Sequence, residues 1–296
     1  MGAEGVARHG RPTVAGSMLF QGEDISGMLI EMTWLLVPLA LIALVWLAIR
    51  VQRRFIYFPR RYSALDLKEA KAVGVREIRF RTSQGNQTAF FWRKPPSEIA
   101  PNALWLLFAG NGSVALDWIP LIVDSPEPTA GFLLIDYPGY GSCQGKPDPQ
   151  SILESSERAF EALHDQIRWR FGALRALGHS LGGAAALQFA AKHTVHKIVV
   201  ISTFTTMDAM ARATIGITLG PFLRHPFDNV KSLKAILSRN PIPEICIFHG
   251  EADGLVPARM GRALAQLDPS RIKFVSFPGV DHNELIEQAL RSVLHT

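Results

Sequence analysis

Residues 173–177, Ala-Leu-Arg-Ala-Leu, run directly into Gly178-His179-Ser180-Leu181-Gly182-Gly183, and an alanine-rich helical stretch follows at once. This passage constrains the fold more than any other. A short apolar strand must become a helix within a few residues, and the G-x-S-x-G spacing leaves a hydroxyl exposed at the corner. Gly178 and Gly182 leave room for the crowded backbone such a corner requires. The helix start just after Ser180 also favours negative charge developing nearby. The five-residue pattern alone recurs by chance; its place between strand and helix gives it meaning.

Much of the remaining chain keeps the same rhythm. Residues 75–81 and 88–93 alternate with a period of two around Ser83-Gln84-Gly85-Asn86 and read as an antiparallel hairpin. Six short apolar runs follow, at 104–109, 131–136, 173–177, 197–202, 244–248 and 272–277, as expected of strands covered on both faces. Helical stretches at 113–123, 150–171, 183–192, 257–267 and 283–294 separate or follow them. Such alternation predicts an α/β architecture: a mostly parallel central sheet with helices on both faces and a mixed edge. The interval 203–241 breaks the rhythm. An insertion there would lie over the carboxyl ends of the strands, so it is a candidate cap, with an ordinary helix and long loop as the other reading.

At the other end, residues 32–49 read MTWLLVPLALIALVWLAI between Glu31 and Arg50. Eighteen apolar residues rise about 27 Å as a helix, close to the hydrocarbon thickness of a bilayer. Trp34 and Trp46 stand near the ends, where indole favours the interface, and no small-x-small cleavage pattern follows. The expected organisation is a structureless segment over 1–31, a transmembrane helix over 32–49, a basic juxtamembrane linker over 50–70, and one domain over 71–296. Residues 50–61 hold Arg50, Arg53, Arg54, Arg60 and Arg61 with no acid, whereas acids outnumber Arg8 and Arg11 before the run, so the domain is expected on the cytoplasmic side of a single-pass protein.

A serine hydroxyl attacks only with a base beside it, and the base needs an orienting acid. His282 lies in a loop directly after the last strand, and Asp253 in a loop just past the preceding one. Ser180, Asp253 and His282 thus stand at three strand ends in the order Ser, Asp, His. The backbone N–H groups of Leu181 and Asn111, the latter in Ala109-Gly110-Asn111-Gly112, are the expected oxyanion donors. Glu251 and Asp208 are alternative acids. His179 is expected to pack or point away, His249 to be badly placed as base, and Asp281 to shape the loop before His282.

Composition removes other classes. A net charge of +5 with no basic block interleaved with aromatics gives no nucleic-acid footprint. Cys143 and Cys246 offer neither a disulfide framework nor zinc spacing, and no metal or cofactor is expected.

Together, LLFAGNG, IDYPGYGSCQG, GHSLGG, ISTF, IFHGEADGLVP and FPGVDHNELI resemble the α/β-hydrolase-domain proteins of the Bem-like (bud-emergence-suppressor) group, related to serine-aminopeptidase-like hydrolases. RFIYFP at 54–59 extends the resemblance towards the apolar run. It implies the α/β-hydrolase fold preceded by one transmembrane helix; the short cap insertion rests on the 203–241 interval alone. It also implies a membrane serine hydrolase of a group that holds esterases and thioesterases, while attachment to the bilayer, not the resemblance, points to a small-molecule or lipid acyl substrate. An aminopeptidase or amidase on the same residues, or a non-catalytic membrane scaffold, are the alternatives. One departure is visible: relatives commonly carry histidine where Ala109 stands, which puts the bracing of the oxyanion loop in question.

Overall fold

The computed structural model describes residues 25–94, 101–124, 127, 129–167 and 171–294. It divides into two units, Met1–Ala48 and Ile49–Thr296. Helix α1 (Ile25–Ile56) runs through the boundary. Within it Leu36–Ile56, 21 residues, is long and apolar enough to cross a membrane. Leu36, Leu39 and Ile42 are all exposed, so this stretch has no protein core to bury it.

Two expectations about this end are corrected. Of the segment expected to be structureless over 1–31, residues 1–24 lie outside the described residues, but 25–31 already belong to α1. Nor do residues 50–70 form a free linker. Arg and Gln are good helix formers, so α1 continues through the arginine cluster to Ile56 and stops ahead of Pro59, where the chain is extended. A second helix, α2 (Ala64–Ala72), starts at Ser63, whose hydroxyl accepts from Asp66 N while the Asp66 carboxylate accepts from Ser63 N. Between them Tyr57 is buried at 3% exposure.

The second unit is one eight-stranded sheet. Its strands are β1 (Arg76–Thr82), β2 (Gly85–Arg93), β3 (Ala103–Phe108), β4 (Ala130–Ile135), β5 (Ala173–His179), β6 (Lys197–Ile201), β7 (Glu244–Gly250) and β8 (Ile272–Phe277). They lie in the order β1-β2-β4-β3-β5-β6-β7-β8. Only the β1–β2 hairpin and the β2–β4 pair are antiparallel; the other pairs are parallel. The helices are α3 (Ile119–Ile122), α4 (Pro149–Ile167), α5 (Leu181–Ala190), α6 (Met207–Ile215), α7 (Asn229–Leu237), α8 (Ala258–Ala265) and α9 (Leu285–Leu294).

Successive residues on a strand face opposite sides, and here both sides are apolar. Leu104, Leu106 and Phe108 of β3, with Ile198 and Val200 of β6, pack with α4, α5, α7 and α8. Trp105 and Leu107, with Val199 and Ile201, pack on the other side with α3 and α9. Each such fully buried Leu or Ile contributes about 1.5–3 kcal/mol. Helix α5 is enclosed along most of its length, which holds its first residue, next to Ser180, rigidly.

One expected helix is shorter. The stretch 113–123 forms a 3₁₀ turn, Ala115–Trp118, and then the four-residue α3. Pro120 has no N–H to donate and is accommodated only in the first turn of a new helix. The interval 203–241 holds α6, a second 3₁₀ turn (Gly220–Phe222) and α7, with no strand.

Candidate active site

Ser180 joins β5 to α5 with φ 55° and ψ −116°. A positive φ at a residue with a Cβ costs on the order of 1–3 kcal/mol and persists only where the surroundings enforce it. They do. Ser180 N donates to Ile201 O (2.8 Å), while its carbonyl accepts from Gly183 N (3.0 Å) and from Thr203 Oγ1 (2.9 Å). A Cβ at Gly178 would collide with the Gly182 carbonyl, and one at Gly182 with the Phe108 carbonyl. Among the described residues the only other non-glycine residue with positive φ is Ser202, at the end of the neighbouring strand β6.

Asp253 and His282 meet directly: His282 Nδ1 lies 2.7 Å from Asp253 Oδ2, with both residues buried. Asp253 Oδ1 accepts from Leu255 N (3.0 Å) and Val256 N (2.8 Å), so the carboxylate is held by its own loop. Burial alone would push this carboxyl up. Hydrogen bonds from His249, His282 and the Val256 N–H outweigh it and hold the group well below the usual carboxylate range. The acid therefore stays ionised, and it fixes the proton of His282 on Nδ1, leaving Nε2 free to act as a base.

Two histidines do more than the sequence suggested. His249, fully buried, places Nε2 2.9 Å from Val256 O and 3.3 Å from Asp253 Oδ2, bracing the carboxylate. His179 does not point away: its Nε2 donates to His282 O (3.1 Å), and the two rings lie 4.6 Å apart. Burial pushes His179 down to about 3, so it remains neutral. Its ring also abuts Gly110, where a Cβ would lie 2.7 Å from Nδ1. His179 thereby touches both the His282 loop and the Asn111 loop. Among the described residues no hydrogen bond joins the Ser180 hydroxyl to His282; His179, covalently adjacent to Ser180, is what links the two.

The remaining acids are occupied elsewhere. Glu251 pairs with Arg262 (2.7 Å). Asp208 accepts from Leu219 N (2.7 Å) and Gly220 N (2.9 Å). Asp281 Oδ1 accepts from His282 N (2.6 Å) and Gly254 N (3.2 Å), shaping the loop as expected.

The N–H groups of Leu181 and Asn111 donate no hydrogen bond among the described residues, so two donors stand unused at the ends of β5 and β3. The Asn111 side chain, by contrast, is heavily engaged. Its Oδ1 accepts from Phe58 N (2.9 Å) and Tyr140 Oη (2.8 Å), and its Nδ2 donates to Ile56 O (2.6 Å). Two residues earlier in the loop, Tyr137 Oη donates to Ala109 O (2.7 Å). The loop is thus tied by two tyrosines, by the last residue of α1 and by the chain just past it, without a histidine at position 109. Among the described residues no group of three His, Cys, Asp or Glu side chains is arranged to hold a metal.

An eight-stranded sheet in this order, with a strained serine at a strand-to-helix corner and a bonded Asp–His pair at later strand ends, defines an α/β-hydrolase. Residues 105–267 match the model of the alpha/beta hydrolase family, and the chain belongs to that family. It is similar to an uncharacterized protein of Mycobacterium tuberculosis (strain CDC 1551 / Oshkosh), 28% identical over 84% of this chain and 85% of that one. It is also similar to the human alpha/beta hydrolase domain-containing protein 17B, 24% identical over 69% and 68% of the two chains. Among solved structures, an esterase of Pyrococcus furiosus shares the fold with a TM-score of 0.61, covering 81% of this chain and 96% of that one at 12% identity.

Proposed function

We propose that this chain is a membrane-anchored serine hydrolase that cleaves carboxylic esters or thioesters through an acyl-enzyme on Ser180. The observation that carries the reading is the 2.7 Å bond between Asp253 and His282, at strand ends beside the strained corner of Ser180. With Nδ1–H held by Asp253, His282 Nε2 takes the Ser180 proton as the hydroxyl attacks the acyl carbon. The oxyanion receives hydrogen bonds from Leu181 N–H and Asn111 N–H. Collapse expels the alcohol or thiol, which leaves with the proton from His282. A water molecule, deprotonated by the same imidazole, then releases the acid and restores Ser180.

Anchoring is read from α1. The apolar residues 32–49 rise about 27 Å as a helix, and the side chains over 36–47 are exposed. The arginines after it favour the cytoplasmic side for the catalytic unit. A bilayer-borne lipid or acylated molecule is then the substrate within reach.

A fluorophosphonate probe on detergent-solubilised full-length protein tests the chemistry. Labelling of the wild type and its loss in Ser180→Ala, with near-unchanged circular dichroism, is the expected result. Folded wild-type protein that takes no label would make the chain a scaffold. A panel of acyl esters, acyl thioesters and aminoacyl amides then assigns the bond cleaved.

A further inference from the structure

The chain leaves β6 at Thr203, whose hydroxyl bonds the Ser180 carbonyl, and returns to the domain at α7. Between them it carries Ile215, Ile217 and Phe222, which are 60, 55 and 54% exposed. Helix α6, which ends at Ile215, buries none of its residues fully. Apolar side chains this size on one short segment mark a contact surface.

The segment is docked on the residues directly past the apolar stretch. Gln52 is buried, and both ends of its amide are spent here: Nε2 donates to Phe222 O (2.8 Å) and Oε1 accepts from Arg224 N (2.9 Å). Tyr57 meets the His225 ring edge-on at 5.3 Å. The exposed Phe55 and Phe58 flank the same junction. Charge points the same way. Residues 49–61 and 209–227 contain seven arginines and no carboxylate. Arg53 and Arg61 donate to backbone carbonyls and Arg60 pairs with Asp117, whereas Arg54, Arg212 and Arg224 stand exposed.

We propose that the segment from Ile215 to Phe222 is a second membrane contact, seated in the headgroup–acyl boundary of an anionic bilayer. Ile215, Ile217, Phe222 and Phe55 enter the boundary, while Arg54, Arg212 and Arg224 meet lipid phosphates. This inference rests on reading α1 as a membrane anchor. Its consequence is that the loop bearing the bilayer contact is the loop bonded to the nucleophile's backbone, so an acyl chain reaches Ser180 from the membrane plane.

The test uses the full chain in phosphatidylcholine–phosphatidylserine vesicles, with a nitrobenzoxadiazole label on Ile217→Cys or, as control, on Ser270→Cys ahead of β8. Cys143 and Cys246 are buried and stay unlabelled in the folded protein. At position 217 the emission shifts to the blue and lipids with brominated acyl chains quench it about twofold or more; at 270 neither occurs. Equal, weak quenching at both positions, with protein that still floats with the vesicles, leaves the anchor standing and overturns the second contact. A blue shift at 217 without quenching marks cover by protein, such as a second copy, and also overturns it. Protein that does not float removes the anchor and this inference together.

Discussion

On the β5, β7 and β8 side of the site, every bond that orients His282 comes from residues at the ends of neighbouring strands: Asp253, Asp281 and His179. On the β3 side, Asn111 is held by Ile56, the last residue of α1, by Phe58 just past it, and by Tyr140. The first half inherits its rigidity from a sheet buried on both faces. The second borrows it from a segment outside the sheet, 55 residues away in sequence. On the proposed mechanism, nucleophile chemistry and oxyanion stabilisation can therefore be damaged separately, because local opening follows local packing.

The largest effect is expected where the first half is cut at its carboxylate. Asp253→Asn should lower kcat by about 10⁴-fold, since the orienting acid fixes the imidazole tautomer. Steady-state hydrolysis of the best ester reads this, and a loss below tenfold would shift the orienting role to another acid. Asn111→Ala keeps the backbone N–H but removes three side-chain bonds. A kcat loss of about 10–100-fold is expected, with faster amide exchange over 109–112 and unchanged exchange around His282. If exchange rises equally in both halves, the two are one cooperative unit and the comparison fails.

A third prediction concerns acid stability. His179 titrates at about 3 when folded and near 6.5 when unfolded, so between these values the unfolded chain binds the extra proton and stability falls as pH falls. Asp136 acts in the opposite sense. Burial pushes it up to about 7 despite bonds from Ala115 N and Tyr62 Oη, so its contribution is lost as pH rises from the usual carboxylate range through 7. In urea titrations from pH 6.5 to 4, the stability of His179→Gln relative to wild type should therefore improve steadily on acidification. A difference independent of pH would mean that His179 is solvated in the native protein. Tyr140→Phe removes the bond donated to Asn111 Oδ1 and the one accepted from Phe58 N, and is expected to cost about 1–3 kcal/mol and to change kcat by less than about tenfold.

What the sequence revealed and what it hid follow from range. The place of Ser180 at a strand-to-helix corner is legible because strand, corner and helix are contiguous, and the places of Asp253 and His282 past strand ends because each follows an apolar run. The eight strands were found within a few residues, since a strand buried on both faces carries its own signature. His179 escaped because its partner lies 103 residues away. For His249 a local signal does exist, a histidine four residues ahead of the acid, but nothing in that spacing distinguishes a brace from a base. The bracing of the oxyanion loop was hidden for a similar reason: Ala109 advertises a missing histidine, whereas Tyr137 and Tyr140 lie on another strand's loop. At α1 the apolar run ended where composition changed, but the helix did not, because hydropathy and helix propensity are separate properties.

The hydrogen bonds of Gln52, Ile56 and Phe58 bear on how this protein is handled at the bench. A fragment prepared for crystallisation or assay by trimming away the apolar run would naturally begin at the arginines around 60, where the first well-marked element lies ahead. Such a fragment discards the partners of Asn111, Phe222 and Arg224, and a weak or unstable preparation would then report the cut site rather than the enzyme. Trimming no further than Ile49 keeps all of them.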